Sequence, residues 1–153
     1  MQKCTLALGC FWKPEENFKN KPGIIETEVG YAGGLSNKVT YEEVCTGGTG
    51  HAEVVRLTFD ESKISFKKIL DLFFKMHDPT TLNRQGPDIG TQYRSEIFCL
   101  DNDQYLIADS IKRNLNKDAY NDKIVTSITM ASSFWIAEEY HQKYIRKKKN
   151  MIL

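Results

Sequence analysis

Alternating apolar and polar residues predict four β-strands within the first hundred residues. Along residues 24–31 the side chains of Val29 and Tyr31 fall on one face and those of Glu26 and Glu28 on the other. This alternation is typical of a half-buried strand. A second alternating run and two shorter apolar runs complete the set. The predicted strands cover residues 5–8, 24–31, 52–59 and 95–100.

Two stretches between these strands have helical character. Residues 14–20 begin with Pro14, a residue that is tolerated in a first helical turn, and end before Lys21-Pro22-Gly23. Residues 64–76 carry an apolar stripe at helical spacing. That stripe consists of Phe66, Ile69, Leu70 and Phe73.

The first six predicted elements therefore run β-α-β-β-α-β, the order of the ferredoxin-like split βαβ arrangement. Beyond them the pattern predicts a helix beginning at Asp101 or Asp103, a strand over 124–130 and a helix over 134–146. We expect one α+β domain over residues 1–153. It would be a ferredoxin-like α/β sandwich, with helices on one face of the sheet and a C-terminal helix-strand-helix extension.

Two long segments without a clear period interrupt this order. They are residues 32–51, which are rich in glycine, and residues 77–93. Loops of this length inside a compact domain are usually functional or disordered. We expect functional side chains from both segments, among them Tyr41, Asp88 and Tyr93.

Composition narrows the class of protein. Hydrophobic residues make up 41% of the chain and charged residues 27%, as in ordinary soluble domains. The net charge of +1 indicates no nucleic-acid or acidic-membrane partner, and the basic run at residues 146–149 is interpreted as a solvated tail. No apolar run reaches the ~18 residues of a membrane span, and no secretory signal is recognisable. We expect a cytoplasmic monomer.

The four cysteines point to chemistry rather than to a structural staple. None of Cys4, Cys10, Cys45 and Cys99 is spaced as a CxxC pair, so neither a zinc site nor a thioredoxin-type pair is predicted. We expect no metal and no bound cofactor. Cys10 lies between the first strand and the first helix, where backbone N–H groups and the helix dipole can lower the pKa of a thiol. The alternative is that Cys10 only fills the core.

Glu53 is the candidate general acid for a reaction at this thiol. Glu53 has the same strand parity as Val55, Leu57 and Phe59, which places it on the apolar face. Burial raises the pKa of a carboxyl group, and a neutral carboxyl group can act as a general acid. The alternative is a strand-end glutamate that turns out to solvent.

Aromatic and hydroxyl groups complete the candidate site. Phe11 and Trp12 follow the thiol directly and would form an apolar wall beside it. Tyr41 and Tyr93 offer neutral hydroxyl donors, which suit an oxygen that gains negative charge during a reaction.

Five segments together resemble the A-type peptide methionine sulfoxide reductases. They occur in the order of that family and cover most of the chain: GCFW at 9–12, VGYAGG at 29–34, TYEEVCTGGTGHAE at 40–53, HDPTTLNRQGPDIGTQYRS at 77–95 and AEEYHQKY at 137–144. The resemblance implies reduction of methionine S-sulfoxide, free or in oxidised proteins, to methionine. It also implies a mixed α/β sandwich of ferredoxin-like topology.

The resemblance also assigns roles to the candidate residues. It implies that Cys10 attacks the sulfoxide sulfur and that Glu53 protonates the sulfoxide oxygen, which Tyr41 and Tyr93 would also bind. Phe11 and Trp12 would hold the methyl group, and Asp88 would help to bind the substrate. Attack leaves Cys10 as a sulfenic acid, which condenses with another thiol to a disulfide.

The chain departs from the family pattern at two places. Many members have a glycine after GCFW, where this chain has Lys13-Pro14, and many carry resolving cysteines in a C-terminal tail. Here the last cysteine is Cys99. Resolution of the sulfenic acid within the chain would therefore use Cys4, Cys45 or Cys99. The other route, which we favour, is an external thiol such as thioredoxin, glutaredoxin or glutathione.

Two other functions remain open at this point. A peroxidase or hydrolase would use His51 as a base for Cys10 and would show no preference between sulfoxide epimers. A protein-binding module would use the aromatic patch and show no turnover. The glycine-rich segment 46–50 lacks the lysine of a phosphate-binding loop and is not predicted to open a helix.

Overall fold

The computed structural model describes residues 1–152, which form eight strands and five helices. The strands are β1 Gln2–Leu8, β2 Ile24–Ala32, β3 Ala52–Phe59, β4 Arg84–Gln85, β5 Asp88–Ile89, β6 Ser95–Cys99, β7 Ser127–Met130 and β8 Phe134–Ile136. The helices are α1 Trp12–Lys19, α2 Tyr41–Cys45, α3 Phe66–Met76, α4 Asn102–Leu115 and α5 Tyr144–Ile152. The result is a mixed α/β structure around one main sheet.

Six strands form the main sheet, in the order β7-β6-β1-β3-β2-β8. Every neighbouring pair is antiparallel except β6 and β7, which are parallel. Strands β1 and β2 both pair with β3 and therefore run in the same direction, with α1 as their connection. The β4–β5 hairpin forms a separate two-stranded sheet.

Helices cover one face of the sheet because the strands are apolar on that side. The main core joins Leu6, Val55 and Leu57 of the strands to Phe18 of α1 and Phe73 of α3, all fully or almost fully buried. A smaller cluster, consisting of Ala7, Ala32, Ala52, Val54 and Phe98, lies separately from it. The amphipathic stripe of α3 is thus directed as its periodicity predicts.

The elements predicted up to residue 130 lie close to their positions in the structure and differ from the prediction mainly in extent. Strand β1 starts three residues earlier than predicted, because Gln2, Lys3 and Cys4 continue the pairing with β3. Helix α1 starts at Trp12, two residues before Pro14, which therefore lies inside the first turn. Strand β7 covers only Ser127–Met130 of the predicted 124–130.

The predicted helix over residues 134–146 is wrong. Phe134–Ile136 instead form β8, which pairs with Gly30–Ala32 at the edge of the sheet. A turn of 3₁₀-helix follows at Glu139–His141, and α5 begins only at Tyr144. The hydrogen bonds offered by the open edge of β2 override the helical spacing of the aromatic residues. This difference matters for the site, because it places Glu138 and His141 in an irregular segment beside β2.

The long loop over residues 32–51 also contains an element that periodicity missed. Helix α2 has only five residues, too few to show a helical repeat. Its start is defined by a capping box, in which the Thr40 hydroxyl accepts from the Glu43 N–H and the Glu43 carboxylate accepts from the Thr40 N–H. This signature is visible in the sequence as T-x-x-E.

Candidate active site

Cys10 lies in the short link between the end of β1 at Leu8 and the start of α1 at Trp12. The turn depends on Gly9, which has a φ of +97°, a conformation that favours glycine. A Cβ atom on Gly9 would also lie 2.9 Å from side-chain atoms of Gln85. The glycine thus lets the segment that carries Asp88 approach the thiol.

Burial dominates the acidity of the Cys10 thiol. Its pKa is raised to about 12, chiefly by desolvation; a hydrogen bond from the Trp12 N–H acts in the opposite direction, and the negative charges of Glu53 and Asp88 add smaller increases. The lowered pKa expected at the helix N-terminus is therefore wrong for the resting protein. The helix supplies one N–H group, but the cost of a buried thiolate is larger. Cys10 is a protonated thiol at neutral pH.

Glu53 is completely buried at the start of β3, as its strand parity predicts. Its Oε1 accepts a hydrogen bond of 3.3 Å from the Phe11 N–H, while Oε2 has no hydrogen-bond partner among residues 1–152. Desolvation raises the pKa of Glu53 to about 8. At pH 7 the protonated form is favoured roughly ten to one, so Glu53 can donate a proton from a fixed position.

Because its pKa is raised in the folded state, Glu53 makes stability depend on pH. Its favourable contribution is complete below about pH 4.5 and is lost as pH rises toward 8, since the unfolded chain releases the proton first. Relative to Glu53→Gln, we expect the free energy of unfolding of the native protein to fall by about 3 kcal/mol between pH 5 and pH 8. Urea unfolding at both pH values measures this difference, with exposed Glu61→Gln as the matched control. A difference that does not change with pH would contradict the raised pKa.

The two aromatic residues that follow Cys10 form a wall of stacked rings. Phe11 is buried and its ring centroid lies 5.3 Å from that of His141. The Trp12 indole stacks on Tyr144 with centroids 3.8 Å apart. Its Nε1–H donates a 3.0 Å hydrogen bond to Nδ1 of His141, which fixes the orientation of the ring.

Two tyrosines bring hydroxyl groups to the same place. Tyr41 opens α2, and its ring centroid lies 4.3 Å from that of His141. Tyr93 ends the 3₁₀ turn before β6, and burial raises its pKa to about 12, with smaller contributions from Glu53 and Cys10. Burial also raises the pKa of Tyr41. Both hydroxyls therefore remain protonated donors at physiological pH.

Asp88 is brought to the site by the β4–β5 hairpin, in which it pairs with Gln85. It is half-buried, and its negative charge raises the pKa of both Cys10 and Glu53. The structure thus brings six of the residues singled out in the sequence together near Cys10: Phe11, Trp12, Tyr41, Glu53, Asp88 and Tyr93.

Sequence patterns missed the residues that hold this arrangement together. Glu138 accepts from the Tyr31 hydroxyl at 2.8 Å and from the Tyr41 N–H at 2.9 Å, and so ties α2 to β2. Gln142 bonds to both backbone groups of Val29. These residues belong to the segment 137–144, and its presence among the resembling motifs was the only signal that could have found them.

His51 holds the backbone of residues 34–36 through hydrogen bonds. Its Nδ1 accepts from the Gly34 N–H at 3.0 Å, and its Nε2 lies 2.5 Å from the Ser36 carbonyl oxygen. Both ring nitrogens are therefore engaged by the backbone of residues 34–36. His51 is not placed to act as a base for Cys10, which removes the main support for a hydrolase.

The remaining cysteines differ sharply in exposure. Cys4 and Cys99 are buried in β1 and β6, and desolvation raises the pKa of both thiols. Cys45 is exposed at the end of α2, near enough to Cys10 to contribute to its raised pKa.

Among residues 1–152, none of the helices combines the length and the hydropathy that a membrane-spanning helix requires.

The fold and site define a class of protein in which a partly buried thiol lies beside a buried carboxyl group that is protonated at neutral pH. The model of the family described as "Peptide methionine sulfoxide reductase" matches residues 2–152. The chain therefore belongs to the peptide methionine sulfoxide reductase family, in agreement with the resemblance seen in the sequence.

Individual relatives agree with this assignment. A peptide methionine sulfoxide reductase MsrA from Pelagibacter ubique is 53% identical over 148 residues, which cover 97% of this chain and 100% of the relative. The crystal structure of reduced Mxr1 from Saccharomyces cerevisiae has a TM-score of 0.90 and 37% identity, covering 97% of this chain and 86% of that chain. Mxr1 in complex with Trx2 has a TM-score of 0.66 and 26% identity, covering 94% and 84%.

Proposed function

We propose that this protein reduces the S epimer of methionine sulfoxide, free or in oxidised proteins, to methionine. The observation that carries the proposal is the pairing of Cys10 with Glu53, a buried carboxyl group whose pKa is raised to about 8. A sulfoxide oxygen is a poor leaving group until it is protonated. A neutral acid beside a thiol supplies the proton that this reaction needs.

The proposed reaction balances without a metal or bound cofactor. The sulfur of Cys10 attacks the sulfoxide sulfur while Glu53 protonates the sulfoxide oxygen. The oxygen passes to Cys10, which becomes a sulfenic acid, and methionine leaves. The thiol of Cys10 releases its proton to solvent before the attack, and Glu53 regains a proton from solvent afterwards, so that the step consumes no net proton and the acid is ready again.

Neighbouring groups position the substrate for this step. Phe11 and Trp12 provide apolar contact for the S-methyl group, and the tyrosine hydroxyls of Tyr41 and Tyr93 stabilise charge on the oxygen. Asp88 helps to bind the substrate. Because methyl and oxygen sites lie on different sides of one sulfur, the site would accept a single epimer, as the division of the sulfoxides between two enzyme classes requires.

An external thiol would return Cys10 to its reduced form. The buried positions of Cys4 and Cys99 leave Cys45 as the internal competitor. Since Mxr1 has been solved with Trx2, a thioredoxin- or glutaredoxin-like protein is one candidate reductant and glutathione is another. We further propose a cytoplasmic monomer with one domain. The antiparallel order β6-β1-β3-β2 supports a ferredoxin-like classification of its core.

Turnover of separated sulfoxide epimers tests the proposed function. With dithiothreitol as reductant, we expect the S epimer of methionine sulfoxide to be reduced and the R epimer to remain unchanged. Chromatography of the methionine produced is the measurement, with heat-denatured protein as the control. Turnover of neither epimer, or equal turnover of both, would refute the proposal.

A further inference from the structure

A cavity reaches Cys10 from outside the wall formed by Phe11 and Trp12. It has a volume of about 210 Å³, and its walls include Leu8, Cys10, Lys13, Asn17 and Asp88. Phe11, Trp12, Tyr41, Glu53 and Tyr93 are not among its lining residues. The cavity therefore reaches the thiol along a side that neither the acid nor the aromatic groups line.

Reduction of the Cys10 sulfenic acid needs a route by which a thiolate can reach the sulfur from the side opposite the oxygen. In the proposed mechanism the oxygen of the sulfenic acid lies toward Glu53 and the tyrosines. A thiolate that displaces this oxygen attacks the sulfur of Cys10 roughly in line with the S–O bond, from the opposite side. The cavity provides a route to the sulfur that does not pass through the groups holding the oxygen.

The charges of the cavity indicate the kind of thiol it accepts. Lys13 is exposed and takes part in no ion pair within residues 1–152, so it is available to a carboxylate. Asp88 presents the opposite charge, and Leu8 and Met76 give the interior an apolar wall. A small zwitterionic thiol with carboxylates and an ammonium group matches this pattern.

We propose that this cavity binds a low-molecular-weight peptide thiol of the glutathione class, with Lys13 holding one of its carboxylates. This inference rests on the proposed function, because it concerns the sulfenic acid that function produces. The thiol attacks Cys10–SOH to give a mixed disulfide and water. A second thiol then displaces Cys10 as a thiol, so that two thiols are oxidised to one disulfide for each methionine formed.

The test follows the second half of the reaction alone. The protein is first oxidised with one equivalent of methionine S-sulfoxide, and methionine release is measured to establish the proposed function separately. Glutathione is then added, and the mixed disulfide is followed by rapid quenching and intact-mass spectrometry. The rate constant is measured on protein in which Cys10 is already oxidised. It is therefore independent of any effect that a variant has on the reduction of methionine sulfoxide.

We expect Lys13→Gln to slow this reaction about threefold and Lys13→Glu about tenfold, in keeping with the strength of an exposed ion pair. The reaction of dithiothreitol, which carries no charge, should be unaffected. Glutathione diethyl ester, which lacks the carboxylates, should likewise not be slowed. The matched control is Lys21→Gln, which removes the same charge from an exposed residue that does not line the cavity.

Three results would overturn the inference. The first is an unchanged rate with glutathione in Lys13→Glu. The second is an equal loss of rate with glutathione and dithiothreitol, which would indicate damage to the site rather than lost recognition. The third is a Cys10–Cys45 disulfide that forms before glutathione can react.

Discussion

Replacing Cys10 by serine should abolish methionine sulfoxide reduction, with a loss of roughly 10⁴-fold or more in kcat. A serine hydroxyl is a much weaker nucleophile than a thiol and forms no counterpart of the sulfenic acid. The buried site cannot compensate, because it already raises the pKa of the thiol it holds. Steady-state turnover of the S epimer with dithiothreitol measures the effect.

Two control experiments make the loss of activity in Cys10→Ser interpretable. Cys99→Ala, which alters a buried cysteine of β6 away from the site, should retain turnover and so excludes a general need for cysteines. Urea unfolding of Cys10→Ser should show that the fold persists. Substantial activity in a folded Cys10→Ser protein would assign the nucleophile to another residue.

Replacing Glu53 by glutamine should slow sulfoxide reduction by roughly 10²-fold or more, within the range of general acid catalysis. The side chain keeps its shape, and its Oε1 can still accept from the Phe11 N–H, but the ionisable proton is gone. A single turnover with one equivalent of methionine S-sulfoxide isolates this step from recycling. Glu61→Gln on the surface is the matched control.

The pH profile of kcat/KM gives a second readout of the same substitution. Below pH 8 the wild-type value should rise with pH, because the thiolate fraction of Cys10 grows toward its pKa of about 12. Above pH 8 the profile should level off, since each gain in thiolate is offset by loss of the Glu53 proton. In Glu53→Gln the break should disappear and the rise should continue. A break that persists in the variant would remove Glu53 from the role of acid.

Local patterns were sufficient for most of the scaffold. The alternation in β2 and β3 and the stripe of α3 each reflect burial of one face, and this requirement acts residue by residue along the chain. The same parity placed Glu53 in the core. The pattern failed at residues 134–136, where pairing with the free edge of β2 outweighs local spacing. It also failed at α2, which is too short to repeat.

The identity of the chemical groups was likewise readable from the chain, because the motifs around Cys10 and Glu53 are contiguous in sequence. Their ionisation was not. A thiol at a helix N-terminus was expected to be acidic, yet desolvation outweighs the hydrogen bond from Trp12. The balance between these two effects depends on how much protein surrounds the sulfur, which no local pattern records.

The sequence by itself determined most of the elements, the candidate nucleophile and acid, and the family of this protein. Each of these depends on residue type and short-range spacing. Only the tertiary structure decided which distant groups support the site. Glu138 and His141 meet Tyr41 and Trp12 across about a hundred residues or more of chain, and the cavity beside Lys13 exists only because the β4–β5 hairpin folds over Gly9. Such contacts arise from packing between elements, and this is the level at which a reductant would be selected.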